Sequence, residues 1–164
     1  MNRDELLRER LTEKARELFS AYGVTCAAPT ERADDADELC AVLGFTGDTL
    51  RGSVVVVASA NALSASNPIA GGSPSAWVSE LTNQLVGRFK NDLLRYGVDV
   101  MMSIPVVLTA KRIVAVSGHE IRPIQLGVGA GTLTMWLEAE GDAQLAEIPM
   151  PDQQVATEGD LMLF

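Results

Sequence analysis

Histidine and cysteine are scarce in this sequence, which has one histidine and two cysteines among 164 residues. Cys26 and Cys40 lie in apolar surroundings without metal-ligand spacing. We therefore expect buried, reduced thiols of a cytoplasmic protein, with a disulfide between them as the less favoured alternative. His119 has no nucleophile-elbow context at the neighbouring Ser117, so we interpret it as a loop residue rather than a general base. No His/Cys/Asp cluster has recognisable metal-site spacing, and we expect no metal in this chain.

Positive charge and long apolar runs are scarce as well. The chain has 13 Lys and Arg residues against 22 Asp and Glu, a net charge of −9. This balance argues against nucleic acid and anionic membranes as partners. No apolar run has membrane-spanning length, and the four valines at 54–57 are typical of a strand. The charged, amphipathic N-terminal stretch does not resemble a secretory signal.

The length suits a single domain with a real core. Hydrophobic periodicity and turn residues predict helices over 4–22, 60–66 and 73–97, and strands over 24–28, 39–46, 52–59, 98–108, 112–116, 124–128 and 131–138. The glycines of 127–131 are predicted to form the bend between the last two strands. Since the strands come in groups, without strict βαβ alternation, we expect an α+β fold. It has an antiparallel sheet of about six strands, with one long and two shorter helices packed on it.

The last part of the chain differs in composition. Residues 141–164 contain five acidic residues and no Lys or Arg. We predict that residues 1–140 form the domain and that 141–164 form an acidic, flexible tail. The apolar end, Leu161–Phe164, is expected to fray, with docking on the domain or on a partner as the alternative.

The long helix has clear boundaries and two different sides. Ser73 suits the N-cap, Pro74 the first turn, and Gly97 the left-handed position after the last turn. At about 100° per residue, one side is apolar and is expected to face the core. Its members are Trp77, Val78, Leu81, Leu85 and Phe89.

Glu80, Asn83, Gly87 and Lys90 fall together on the other side of this helix, and we call these four residues the helix strip. A glycine inside a helix costs about 1 kcal/mol relative to alanine. Packing within the chain does not explain a glycine on an exposed side, whereas the close approach of a partner does. The alternative, a solvated side with an incidental glycine, stays open from the pattern alone.

Four sequence blocks carry a family resemblance. The segment Glu80–Lys90 resembles the ExxN…G…K helix of the CheC/CheX/FliY chemotaxis phosphatases, and Ser103–Leu108 is similar to their SLPTVI strand. Val42–Gly47 and Gly52–Val54 resemble their GLTG…GSV hairpin. The resemblance covers about residues 4–139, and a single helix of this type points to the CheX-like branch. One departure is Ala76, where the family often has Asp or Ser.

The resemblance implies dephosphorylation of a phosphorylated CheY-type receiver domain of a response regulator. Asn83 would orient the attacking water, and Glu80 would dock on the active-site lysine of the receiver. Gly87 would permit close approach of the partner backbone, and Lys90 would meet an acidic patch. The Mg²⁺ of the reaction is expected on the receiver, and no cofactor is expected in this chain.

Two other interpretations remain open at this stage. The chain could be a receiver-binding or scaffold module of a two-component system without catalysis, or an unrelated α+β domain whose helix strip arises by chance. By the same resemblance, a homodimer paired through sheet edges is a further alternative.

Overall fold

The computed structural model describes residues 2–29, 37–111 and 121–145. His119, Ser117, the predicted strand 112–116 and residues 146–164 of the predicted tail lie outside the described residues. The helices in the described part are α1 (Arg3–Ala21), α2 (Ala60–Ser66) and α3 (Pro74–Arg95). The strands there are β1 (Cys26–Ala27), β2 (Glu38–Thr46), β3 (Leu50–Ser59), β4 (Met101–Met102), β5 (Val106–Ala110), β6 (Ile124–Val128) and β7 (Gly131–Gly141).

The described strands form one antiparallel sheet in the order β1-β6-β7-β3-β2-β4, with β5 also paired to β2. Three helices on an antiparallel sheet confirm the predicted α+β fold. Residues 129 and 130 form the turn of the β6–β7 hairpin, and Gly129 has a φ of +57°. The glycine-rich bend predicted at 127–131 is thus confirmed.

The predicted strand 98–108 is two separate strands. β4 pairs with the end of β2, and β5 pairs with its beginning. Between them, the Ser103 N–H donates to the Gly44 carbonyl at 2.8 Å, and the Gly44 N–H donates to Ser103 Oγ at 2.9 Å. Pro105 has no N–H to continue a ladder, so the regular pairing resumes only at Val106.

The main core lies between the sheet and the helices. Alternate residues of β2, beginning at Leu39 and ending at Phe45, join the apolar side of α3 in one buried cluster. The five apolar residues predicted on α3 are each 6% exposed or less. The rings of Phe45 and Phe89 meet edge to face, with centroids 6.2 Å apart. This packing fixes the rotation of α3 about its own axis.

α1 and α2 hold the first half of α3. The Tyr22 ring, directly after α1, meets the Trp77 ring edge to face with centroids 4.9 Å apart. The Trp77 indole N–H donates to the buried Ser66 Oγ on α2 at 3.0 Å. Trp77 therefore joins all three helices at one point.

The folded part of the chain continues slightly past β7. Ala143 is buried, its N–H donates to the Thr49 carbonyl at 3.0 Å, and Leu145 packs against the core. The division of the chain into residues 1–140 and 141–164 stays a prediction.

Two neighbouring leucines on α3 test the packing. Leu93 is 0% exposed, and Leu94 is 37% exposed. We expect Leu93→Ala to lower the free energy of unfolding by about 2–5 kcal/mol, because it removes core contacts and leaves a cavity. Leu94→Ala should cost less than about 1 kcal/mol. Urea titration of both variants measures the difference, and equal losses would contradict the described orientation of α3.

The two cysteines are free thiols in different environments. Cys26 on β1 is partly buried, and Cys40 on β2 is buried in a second cluster with Val57 and Trp136. Burial raises the pKa of the Cys26 thiol, an effect that the charge of Arg16 partly offsets. Burial, and then the charge of Glu38, raise the pKa of the Cys40 thiol.

These environments predict an order of thiol reactivity. Since only the thiolate is nucleophilic, a raised pKa slows alkylation at neutral pH, and burial of Cys40 slows it further. We expect iodoacetamide to modify Cys26 faster than Cys40, and both more slowly than free glutathione. Mass spectrometry of the native protein measures both rates, with Cys26→Ala and Cys40→Ala as single-thiol controls. Faster modification of Cys40 would contradict the described burial.

Candidate functional site

α3 is closed at both ends by the residues predicted to do so. Ser73 Oγ accepts the Ala76 N–H at 3.4 Å, and Pro74 occupies the first turn. At the other end, Gly97 has a φ of +83°, in the left-handed region, and its N–H donates to the Leu94 carbonyl. Both termini thus satisfy backbone groups that a helix end leaves unpaired. The helix strip is carried on a continuous, capped helix of 22 residues.

The structure places all four residues of the helix strip on the side of α3 away from the core. Glu80 and Asn83 are exposed, and Gly87 and Lys90 are partly exposed. Residues three and four positions apart on a helix are neighbours, with Cβ atoms about 5–6 Å apart. A partner can therefore reach a surface that carries, in order, a carboxylate, a carboxamide, a bare backbone position and an ammonium group.

Gly87 has no packing reason within the described part of the chain. A Cβ added there would meet no atom within 4 Å outside its own helix turn and neighbours. Gly131 is different, because a Cβ there would collide with Ser59 at the end of β3 and with Ala62 of α2. The fold therefore requires a glycine at position 131, where a side chain has no room. At position 87 a side chain has room, and the glycine leaves the backbone of α3 uncovered.

Glu80 is held in place by its neighbours. Gln84 Nε2 donates to Glu80 Oε1 at 2.7 Å, and the Tyr22 hydroxyl lies 2.8 Å from Gln84 Oε1. Asn83 differs, since none of its side-chain atoms forms a hydrogen bond to the described residues. Within the described part of the chain, both donors and the acceptor of its amide therefore have no partner.

The sequence prediction missed Gln84 and Tyr22. The i, i+4 spacing of Glu80 and Gln84 is a usable signal, because such pairs interact on one side of a helix. Tyr22 gives no local signal, because its contact with Gln84 depends on how α1 packs on α3.

The described ranges contain no group of three His, Cys, Asp or Glu side chains that could hold a metal ion. They also contain no helix long and apolar enough to cross a membrane.

A family profile described as "Chemotaxis phosphatase CheX" matches residues 39–122, slightly more than half of the chain. The chain belongs to the CheX family. The match begins in β2 and extends across the β2–β3 hairpin, α3 and β5, so it contains the whole helix strip. The family resemblance expected from the four sequence blocks is thereby confirmed.

Solved structures share the fold at low sequence identity. The chemotaxis protein CheX from Vibrio vulnificus is 20% identical, with a TM-score of 0.63, covering 82% of this chain and 96% of that one. A CheC-like superfamily protein from Shewanella sp. PV-4 is 20% identical, with a TM-score of 0.65, covering 86% of this chain and 100% of that one.

A third similar structure is the CheX-CheY-BeF3-Mg²⁺ complex from Borrelia burgdorferi. The matched chain is 12% identical, with a TM-score of 0.60, and the alignment covers 84% of this chain and 97% of that one. No curated protein matches the sequence. The structural neighbours confirm the CheC/CheX-like fold for this member of the CheX family.

The open space at Gly87 generates a stability prediction. Gly87→Ala should raise the free energy of unfolding by about 1 kcal/mol, because alanine favours a helix by that amount and meets no obstacle here. The matched control, Gly131→Ala, should be destabilising because its Cβ collides with α2. Urea titration of the two variants measures both effects. A loss of stability in Gly87→Ala would show that the fold itself requires this glycine.

Proposed function

We propose that this protein dephosphorylates a CheY-type receiver domain, with the helix strip placed against the phosphorylated aspartate of the receiver. One observation carries the proposal. Glu80 and Asn83 are exposed one turn apart on a capped helix, with the bare Gly87 next along the same side. Membership of the CheX family, whose description names a chemotaxis phosphatase, supports it.

The reaction needs an oriented water molecule. Water attacks the phosphorus of an aspartyl phosphate in line with the leaving carboxylate oxygen, and positive groups stabilise the spreading negative charge. In this proposal the positive groups are the Mg²⁺ and the lysine of the receiver, so no cofactor of this chain enters the step. What this chain adds is a group that fixes the position of the water.

Asn83 is suited to this role. A carboxamide can both accept and donate a hydrogen bond to water without bringing negative charge near the phosphoryl group. A carboxylate at position 83 would be repelled by the phosphoryl oxygens. The exposed Asn83 amide also needs to break no hydrogen bond to the described residues before it engages the water.

Glu80 is assigned to docking. Its carboxylate can form a charge-assisted hydrogen bond with the lysine of the receiver, which sets the distance between α3 and the phosphoryl group. Gly87 lets the backbone of the receiver approach the helix, and Lys90 meets an acidic group of the partner.

The Borrelia burgdorferi structure supports the choice of partner. It is a complex of CheX with CheY, BeF3 and Mg²⁺. We extend a receiver of this class to the present chain as part of the proposal. The cytoplasmic localisation stays a prediction.

Asn83→Ala tests the catalytic assignment. We expect the accelerated loss of phosphate from a phosphorylated receiver to fall by about 100-fold or more, because the water is no longer positioned. Asn83→Asp, which keeps the size of the side chain, should fall at least as far because of charge repulsion. Both rates are read from the decay of the phosphorylated receiver. Affinity for the receiver loaded with BeF3 and Mg²⁺ should stay near the wild-type value in Asn83→Ala.

Asn61→Ala is the matched control, because it makes the same substitution at an exposed asparagine of α2, outside the helix strip, and it should keep the wild-type rate. Equal rates for wild type and Asn83→Ala would remove the role assigned to Asn83. Tight receiver binding by the wild type without faster decay would favour the non-catalytic receiver-binding module.

A further inference from the structure

A chain of hydrogen bonds connects the end of α1 to the exposed Glu80. The Tyr22 hydroxyl lies 2.8 Å from Gln84 Oε1, and Gln84 Nε2 lies 2.7 Å from Glu80 Oε1. We call Tyr22 and Gln84 the relay. Neither residue belongs to the helix strip, and neither was selected from the sequence.

The direction of the relay follows from hydrogen-bond chemistry. A carboxylate only accepts hydrogen bonds, so the Gln84 NH₂ group must face Glu80. The carbonyl oxygen of the same amide then faces Tyr22, which requires the Tyr22 hydroxyl to donate. Only one orientation of the Gln84 amide satisfies both neighbours.

The far end of the relay is fixed in the protein core. The Tyr22 ring packs edge to face against the buried Trp77 ring, with centroids 4.9 Å apart. The Trp77 indole donates to Ser66 Oγ at 3.0 Å, and this hydroxyl donates to the Ala62 carbonyl at 2.9 Å. The position of the Tyr22 hydroxyl is therefore set by packing among three helices.

We propose that Tyr22 and Gln84 are positioning residues that hold the Glu80 carboxylate in its docking position before a receiver arrives. This inference rests on the proposed function. Ordering a flexible side chain on binding weakens association, and a side chain ordered beforehand avoids that loss. One such side chain changes affinity by roughly two- to tenfold.

The relay is expected to act on docking rather than on the chemical step. It reaches Glu80, whereas the Asn83 side chain has no hydrogen bond to any described residue. Breaking the relay should therefore raise the KM and the Kd for the receiver and leave kcat close to its wild-type value.

Tyr22→Phe is the central variant, because it removes the hydroxyl and keeps the ring against Trp77. We expect the Kd for a CheY-type receiver loaded with BeF3 and Mg²⁺ to rise roughly two- to tenfold, with an equal rise in KM and an unchanged kcat. Gln84→Met, which keeps the length of the side chain without its amide, should weaken binding by a similar factor. Titration calorimetry and the decay of the phosphorylated receiver give these values.

Tyr96→Phe is the matched control. Tyr96 follows α3, and its ring lies under the Arg10 guanidinium, 6.0 Å from ring centroid to Cζ. The substitution removes a tyrosine hydroxyl outside the relay, so binding should stay at the wild-type level.

A double-mutant cycle separates positioning from a general structural effect. In a Glu80→Ala background, Tyr22→Phe should have no further effect on affinity, because the relay has nothing left to position. An undiminished effect of Tyr22→Phe in that background would overturn the proposal, as would a Kd for Tyr22→Phe equal to that of Tyr96→Phe. Failure of the proposed function appears separately, as a wild type that neither binds the receiver nor speeds its dephosphorylation.

Discussion

The burial of one side of α3 against the sheet determines where every group of the candidate site lies. A helix packed through Leu81, Leu85 and Phe89 cannot rotate about its axis without exposing them. The periodicity of the α-helix then carries Glu80, Asn83 and Gly87 to the opposite side. The packing that forms the core therefore also places the residues of the site.

Features that depend on neighbours in sequence could be predicted. The caps of α3, its apolar side, the helix strip, and the short helix at 60–66 all follow from local pattern and turn chemistry. The sheet was assigned to the right class because grouped strands favour antiparallel pairing. The four sequence blocks that resemble the family indicated the chemistry of the site, which the spacing of Glu80 and Asn83 alone leaves open.

Features that depend on contacts between distant segments could not be predicted. The break between β4 and β5 is bridged by the Ser103 hydroxyl, and periodicity contains no information about that side-chain contact. The Tyr22–Gln84 hydrogen bond joins residues 62 positions apart, and it exists only because α1 packs against α3. Local sequence determines whether a segment forms a helix or a strand. The hydrogen bonds of its side chains depend on which other segments pack against it.

The capped ends of α3 have a consequence for selectivity. A helix whose terminal backbone groups are hydrogen-bonded, and which is packed along its length, has little freedom to change shape when a partner binds. Under the proposed function, a receiver would need a cleft already wide enough for an α-helix, and its own loops would provide any adjustment. Discrimination among related receivers would then reside in the walls of their clefts, because α3 would present the same rigid surface to each of them.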